Sequence, residues 1–273
     1  MDTRQERGAS LRLDLLKSLT NAAPGWAAHG DVEEGLAGRG DIDLIAPERE
    51  WRTLEQRLRS WAAEHGLSWV VSCRHRPGIL VLLAMPADGP ELLDVEVMGS
   101  KFFRGTVLFS AERLQPLVES DDRGFRRLRP GASALIKLVP NAVGRLGALK
   151  WPPAKAEPVF ASLSKDPEAV REAARVFGGL ESAVLELSNA AAGGRWSRRA
   201  AIALEARALA RSARHPWLLA HRGVALRQRR ACVVLRSLSH HRLPNNADPS
   251  GWMALVERDH AVWRPDDRRP SET

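Results

Sequence analysis

Gly40-Asp41-Ile42-Asp43-Leu44-Ile45, inside the longer stretch LAGRGDIDLIAPERE (Leu36–Glu50), decides how this sequence is read. Ile42, Leu44 and Ile45 mark an apolar strand, expected over Asp41–Ala46. Two aspartates lie one residue apart within it. Side chains alternate along a strand, so both carboxylates project from one face, about 7 Å apart. Carboxylates held that close repel one another and raise a pKa unless something positive lies between them. A divalent cation removes the conflict. Magnesium takes one or two carboxylates together with waters and phosphate oxygens.

The flanks fit a strand that carries a site. Upstream, Ser10 to Asn21 reads as a helix that ends at Ala22-Ala23-Pro24-Gly25, and Trp26–Ala28 as a short strand. His29-Gly30-Asp31 then opens a polar, glycine-containing loop up to Gly40. Downstream, Pro47 suits a first helical position, with Glu48 and Glu50 where the helix dipole favours acids. Trp51, Leu54, Leu58, Trp61 and Ala62 recur at helical spacing, and Gly66 stops the run. Three strands are expected next, over Leu67–Cys73, Gly78–Met85 and Glu91–Met98. In the last, Asp94 and Glu96 share one face and Leu93, Val95 and Val97 the other. Asp94 is therefore a third carboxylate for the Asp41/Asp43 pair if its strand lies beside theirs. Three carboxylates suffice for two metals that clamp an in-line phosphoryl displacement.

With those residues in view, Trp26 to Met98 resembles the nucleotidyltransferase superfamily with a DNA polymerase β-like catalytic core. The family pattern is a glycine followed by a small residue, then hydrophobic-Asp-x-Asp-hydrophobic, a helix, and a third Asp on a further strand. Here those places are His29-Gly30-Asp31, Asp41-Ile42-Asp43-Leu44-Ile45 and Leu92-Leu93-Asp94-Val95-Glu96. The motifs cover about a quarter of the chain, and the helical half is more loosely similar to bacterial nucleotidyltransferase-like proteins of unassigned substrate. The resemblance implies transfer of a nucleoside monophosphate from an NTP, usually ATP, to an acceptor hydroxyl. It implies that Asp41 and Asp43 bind Mg2+ in a two-metal site. Asp94 would bind metal and take the acceptor proton.

The sequence departs from the pattern at Asp31, which stands where the family commonly has a hydroxyl residue near the triphosphate. A carboxylate beside phosphate is repulsive unless metal bridges them. Gly30 still lets backbone N–H groups approach phosphate. Lys101 and Arg104 follow the third-Asp strand closely enough to meet phosphate too, although such residues are ordinarily solvated. Gly30, Asp31, Lys101 and Arg104 are thus the candidate nucleotide contacts. There is no Walker A sequence and no GxGxxG.

The second half reads differently. Thr106–Phe109 is a short strand candidate and Ser110 caps a helix at Ala111. Helices are expected over Ala132–Leu146, Pro158–Leu163, Pro167–Phe177, Leu180–Ala190, Arg198–Arg214 and Leu218–Leu238, with Ala231–Leu235 ambiguous. Residues 1–100 carry 11 Lys+Arg against 16 Asp+Glu, whereas residues 101–273 carry 30 against 17. The acidic part suits cations and the basic part an anion, unless the arginines reflect composition alone. Arg195, Arg198 and Arg199 cluster at a helix start, where cations oppose the dipole and a docked anion relieves them. Arg207, Arg211 and Arg214 continue at spacings of four and three. Such a patch suits a phosphorylated sugar, an acidic protein or RNA.

The expected fold is therefore α+β: a small mixed β-sheet with flanking helices over 1–127, an all-helical, Arg-rich domain over 128–243, and an irregular tail over 244–273. No apolar run is long enough to span a membrane. Cys73 and Cys232 form no CxxC motif, which fits a reducing, cytoplasmic setting. Two functional readings stand. One is a metal-dependent nucleotidyltransferase with a neutral or anionic acceptor. The other is a non-catalytic relative that binds an anionic partner such as nucleic acid; the family resemblance alone adds an accessory role in surface-polysaccharide synthesis.

Overall fold

The computed structural model describes residues 3–76, 78–86, 93–214 and 261–263. In chain order the elements begin with α1 (Thr3–Ala22), β1 (Ala27–Ala28), α2 (Val32–Leu36), β2 (Ile42–Ile45) and α3 (Trp51–Glu64). Strands β3 (Leu67–Arg76), β4 (Ile79–Pro86), β5 (Leu93–Met98), β6 (Ser100–Phe103) and β7 (Thr106–Ser110) follow. Then come α4 (Ala111–Leu114), β8 (Val118–Ser120), β9 (Arg126–Leu128) and α5 (Pro130–Ala142). The helices α6 (Pro153–Lys165), α7 (Pro167–Val176), α8 (Glu181–Ala192) and α9 (Arg198–Ala213) precede a last strand, β10 (Ala261–Trp263). The fold is α+β, with a mixed sheet and helices in the N-terminal part and a helical region over 130–213. No helix among the described residues is long and apolar enough to cross a membrane.

The chain divides into two compact units. Of the described residues, the first takes 3–26, 31–76, 78–86, 93–98 and 261–263, and the second 27–30 and 99–214. The expected boundary at residue 127 falls inside the second unit. The expected Leu218–Leu238 helix, the Ala231–Leu235 segment and most of the tail lie outside the described residues.

In the first unit, β3, β4 and β5 form an antiparallel meander, β2 pairs parallel with β5, and β10 pairs antiparallel with β3. Parallel neighbours need a crossover connection, and α3 lies in the stretch between β2 and β5. Its apolar stripe of Trp51, Leu54, Leu58, Trp61 and Ala62 is buried, with contacts to α1, β3 and β4. The sheet face carrying Leu44, Val95, Val97, Leu80 and Leu82 is fully buried, and Ser72 on that face donates to Glu55 of α3. Helices α1 and α3 are also tied by Asp14, which accepts from Trp61 Nε1 at 2.7 Å and pairs with His65 at 3.3 Å.

In the second unit, β1 pairs parallel with β9, β9 pairs antiparallel with β8, and β6 and β7 form a hairpin. Helix α5 is buried almost all round, as a central helix must be. It meets the start of α7 so closely that a Cβ on Gly131 would sit 2.2 Å from the Asp166 carbonyl oxygen. Asp166 holds that junction. It caps α7 by accepting from Ala169 N–H at 3.1 Å and pairs with Arg129 at 2.8 Å. Burial alone would raise its pKa, but the Arg129 and backbone hydrogen bonds outweigh that and lower it. Replacing Asp166 with Ala removes a cap and an ion pair together and is expected to cost about 2 kcal/mol. Asp166→Asn keeps the capping oxygen and should lose less; urea unfolding of both variants measures the difference.

Candidate functional site

The carboxylates of the first unit are placed by one register. In the β2–β5 pair, Ile42 lies opposite Val95, Asp43 opposite Glu96 and Leu44 opposite Val97. Residues directly opposite share a face, and strands are spaced by about 4.8 Å. Asp43 and Glu96 are therefore neighbours on the face away from Leu44 and Val97. Asp94, two residues before Glu96, joins them. Asp41 immediately precedes β2 and lies just outside the paired residues. Strand β5, which carries Asp94, thus lies beside β2, which carries Asp43.

That face carries more than acids. Asp94 lies opposite Leu83 and Glu96 opposite Val81 on β4, and both aliphatic side chains are buried. Asp94 itself is only 7% exposed, while Asp41, Asp43 and Glu96 are half-buried. Each of these four residues takes part in some interaction within the chain. Among the described residues, no three His, Cys, Asp or Glu side chains stand together closely enough to hold a metal ion. The register brings carboxylate residues to one face without gathering three of them around one point among the described residues. A pair matches magnesium, which completes its shell with water and phosphate oxygens.

Asp41 is steadied from behind. A Cβ on Gly35 of α2 would stand 2.9 Å from the Asp41 carbonyl oxygen, so α2 packs directly on the chain entering β2. The sequence alone reads that stretch as loop, because a five-residue helix is too short for periodicity to register. Asp31 forms its N-cap, and its exposed carboxylate accepts from Glu34 N–H at 3.2 Å. Serine and aspartate are interchangeable in that capping role. The departure from the family pattern thus has a local structural use. Glu34 pairs in turn with Arg39 at 2.7 Å on the surface.

The remaining expected nucleotide contacts belong to the second unit. Gly30 adopts φ +76, which glycine reaches without strain, and its N–H donates to Ser133 Oγ of α5 at 2.8 Å. Lys101 lies on β6. Arg104 pairs with Glu205 of α9 at 2.7 Å and lies over the Phe103 ring, so its charge is matched within the protein.

His29 is the residue whose importance the sequence conceals. Its Nδ1 is enclosed without a hydrogen-bond partner. Its pKa is lowered from 6.5 to about 3, chiefly by burial and further by Lys101 and Lys137. Lys137 lies one turn beyond Ser133 on α5. It is more than a hundred residues from His29, and no local pattern links the two.

Of the basic cluster, Arg195, Arg198 and Arg199 are exposed. Ser197 caps α9 by accepting from Ala200 N–H at 3.2 Å, and Arg198 Nε donates to the Leu146 carbonyl at 3.1 Å. Arg207 donates to Ser182 Oγ, and Arg211 to the Phe177 carbonyl. His240 and His241 lie outside the described residues.

The chain matches no protein-family model, no curated protein and no solved structure.

Two outcomes follow. Gly35→Ala pushes α2 off the entry to β2; it should lower stability by about 1–3 kcal/mol and weaken any metal binding that uses Asp41. Thermal melts together with magnesium titration check both. For His29, the unfolded chain takes up a proton below about pH 6.5 that the folded chain refuses until about pH 3. Its contribution is therefore complete above pH 6.5 and falls away as the pH drops through that window. Urea midpoints at pH 7 and pH 5 should differ less in His29→Gln than in the unaltered protein.

Proposed function

We propose that the chain is a metal-dependent nucleotidyltransferase that moves a nucleoside monophosphate from an NTP, with ATP the favoured donor, to an acceptor hydroxyl. The observation that supports this reading is the β2–β5 register, in which Asp43 and Asp94 share a face of one sheet and Asp41 immediately precedes β2. That placement follows the family's order of strand, helix and further strand. In this reading Asp41 and Asp43 hold Mg2+. The ion supplies Lewis-acid stabilisation of charge on the phosphoryl oxygens. Asp94 accepts the proton of the acceptor hydroxyl as its oxygen bonds to the α-phosphorus. The bond from that phosphorus to the bridging oxygen breaks, and pyrophosphate leaves. A nucleotide donor and the two cysteines without a paired motif both fit a cytoplasmic setting.

A second reading, a non-catalytic nucleotidyltransferase-like module with an anionic partner, is favoured by one observation. The described residues contain no gathered group of three metal-ligating side chains.

Calorimetric titration with a non-hydrolysable ATP analogue, with and without magnesium, tests the enzyme reading. Binding should need magnesium, and Asp41→Asn and Asp43→Asn should each weaken it at least about tenfold. Unchanged binding in both variants overturns the proposed site. Magnesium-dependent binding without any pyrophosphate release in the presence of candidate acceptors points to the second reading.

A further inference from the structure

The second unit shows its large apolar side chains to solvent in one place. Leu146, Ile202 and Leu209 are 71%, 45% and 51% exposed, and they are the large hydrophobic residues so displayed among those described. Ile202, Ala206, Leu209 and Ala213 follow one another at spacings of four, three and four along α9, and all four are exposed. They form a continuous stripe on the outward side of the helix. Leu146 lies at its N-terminal end, because a Cβ on the neighbouring Gly147 would stand 2.8 Å from Ile202 Cγ1.

Leu146 is also held against its preference. Its φ of +54 puts a bulky side chain in the left-handed region, which costs about 1–3 kcal/mol. The turn is fixed in place by Trp196 Nε1, which donates to the Gly147 carbonyl at 2.8 Å, and by Arg198, which donates to Leu146's own carbonyl. Two side chains thus stabilise a backbone that displays a leucine to water.

Arginine predominates on α9 beside the stripe, while the exposed Glu186 of α8 accepts from Ser197 Oγ at 3.4 Å at the helix start. Arg198, Arg199 and Arg214 are exposed along α9, whereas Arg207, about 140° round the helix from Ile202 at 3.6 residues per turn, donates to Ser182 of α8. The single acid of that helix, Glu205, is engaged by Arg104 at 2.7 Å. An apolar stripe edged by arginine is complementary to an amphipathic helix with leucine or isoleucine on one face and Glu or Asp beside it. The alanines in the stripe let such a helix approach at close interaxial distance. A second copy fits poorly, since it would set arginine against arginine. The stripe itself is aliphatic, whereas single-stranded nucleic acid binds on aromatic rings on which its bases stack.

We infer that the Leu146–α9 face is a docking surface for an acidic amphipathic helix of a partner protein. This inference does not depend on the nucleotidyltransferase reading. The full chain is titrated against a fluorescein-labelled helical peptide that carries leucine at heptad spacing and glutamate on the flanks. A scrambled peptide of the same composition is the control. Saturable binding is expected for the patterned peptide, weakening with added salt. The double variant I202E/L209E should lose at least about tenfold, and R199A/R214A a smaller amount. These side chains are exposed, so circular dichroism should show the same helix content in every variant. Equal binding of the scrambled peptide, or no saturable binding, overturns the inference. So does a self-associated protein whose dimer is dissolved by I202E/L209E. Tight binding of poly(U) that survives I202E/L209E and displaces the peptide also overturns it, in favour of nucleic acid.

Discussion

The parallel pairing of β2 with β5 is the constraint on which the first unit turns. A parallel pair cannot be closed by a tight turn, so the chain must leave β2, cross over, and return. Helix α3 and the β3–β4 hairpin occupy that excursion, and α3 buries one face of the sheet on the way. Once that face is apolar, period-two alternation commits the opposite face to Asp43, Asp94 and Glu96. A slip of one residue would drive these carboxylates into the α3 interface and turn Leu44 and Val97 outward. The hydrophobic core therefore enforces the position of the acids. No local preference of the acids themselves is needed.

The second unit relies on polar ties at points of close backbone approach. Asp166 joins α5 to α7, where Gly131 leaves no room for a side chain. Ser133 on the same helix reaches Gly30, and Arg104 reaches Glu205. Each tie links segments distant in sequence, and each is at least partly shielded from water. Such pairs contribute more than the surface pairs, such as Glu34 with Arg39, which solvent screens.

Much of this was legible from sequence because it follows from pattern. The strand at Asp41–Ala46, the alternation around Asp94 and the stripe from Trp51 to Ala62 each carry their own periodicity, and each forms close to its expected span. Helix α2 escaped because five residues are too few to show a period, and β8 and β9 because three-residue strands are shorter still. The surroundings of Gly30, Arg104 and His29 escaped for another reason. Ser133, Glu205 and Lys137 meet them only through tertiary packing. Asp31 looked anomalous beside a glycine, yet capping accounts for it without reference to a ligand.

Residues 27–30 belong to the second unit, although the chain on both sides of them belongs to the first. Strand β1 pairs with β9, and Gly30 bonds to Ser133, a hundred residues later. No single cut in the polypeptide therefore yields either unit whole. A fragment ending near residue 98 carries a strand whose partner is missing, and a fragment beginning near residue 99 lacks that strand. On a ribosome, the segment between Trp26 and Asp31 must wait for β9 and α5 to be synthesised before its hydrogen bonds can form.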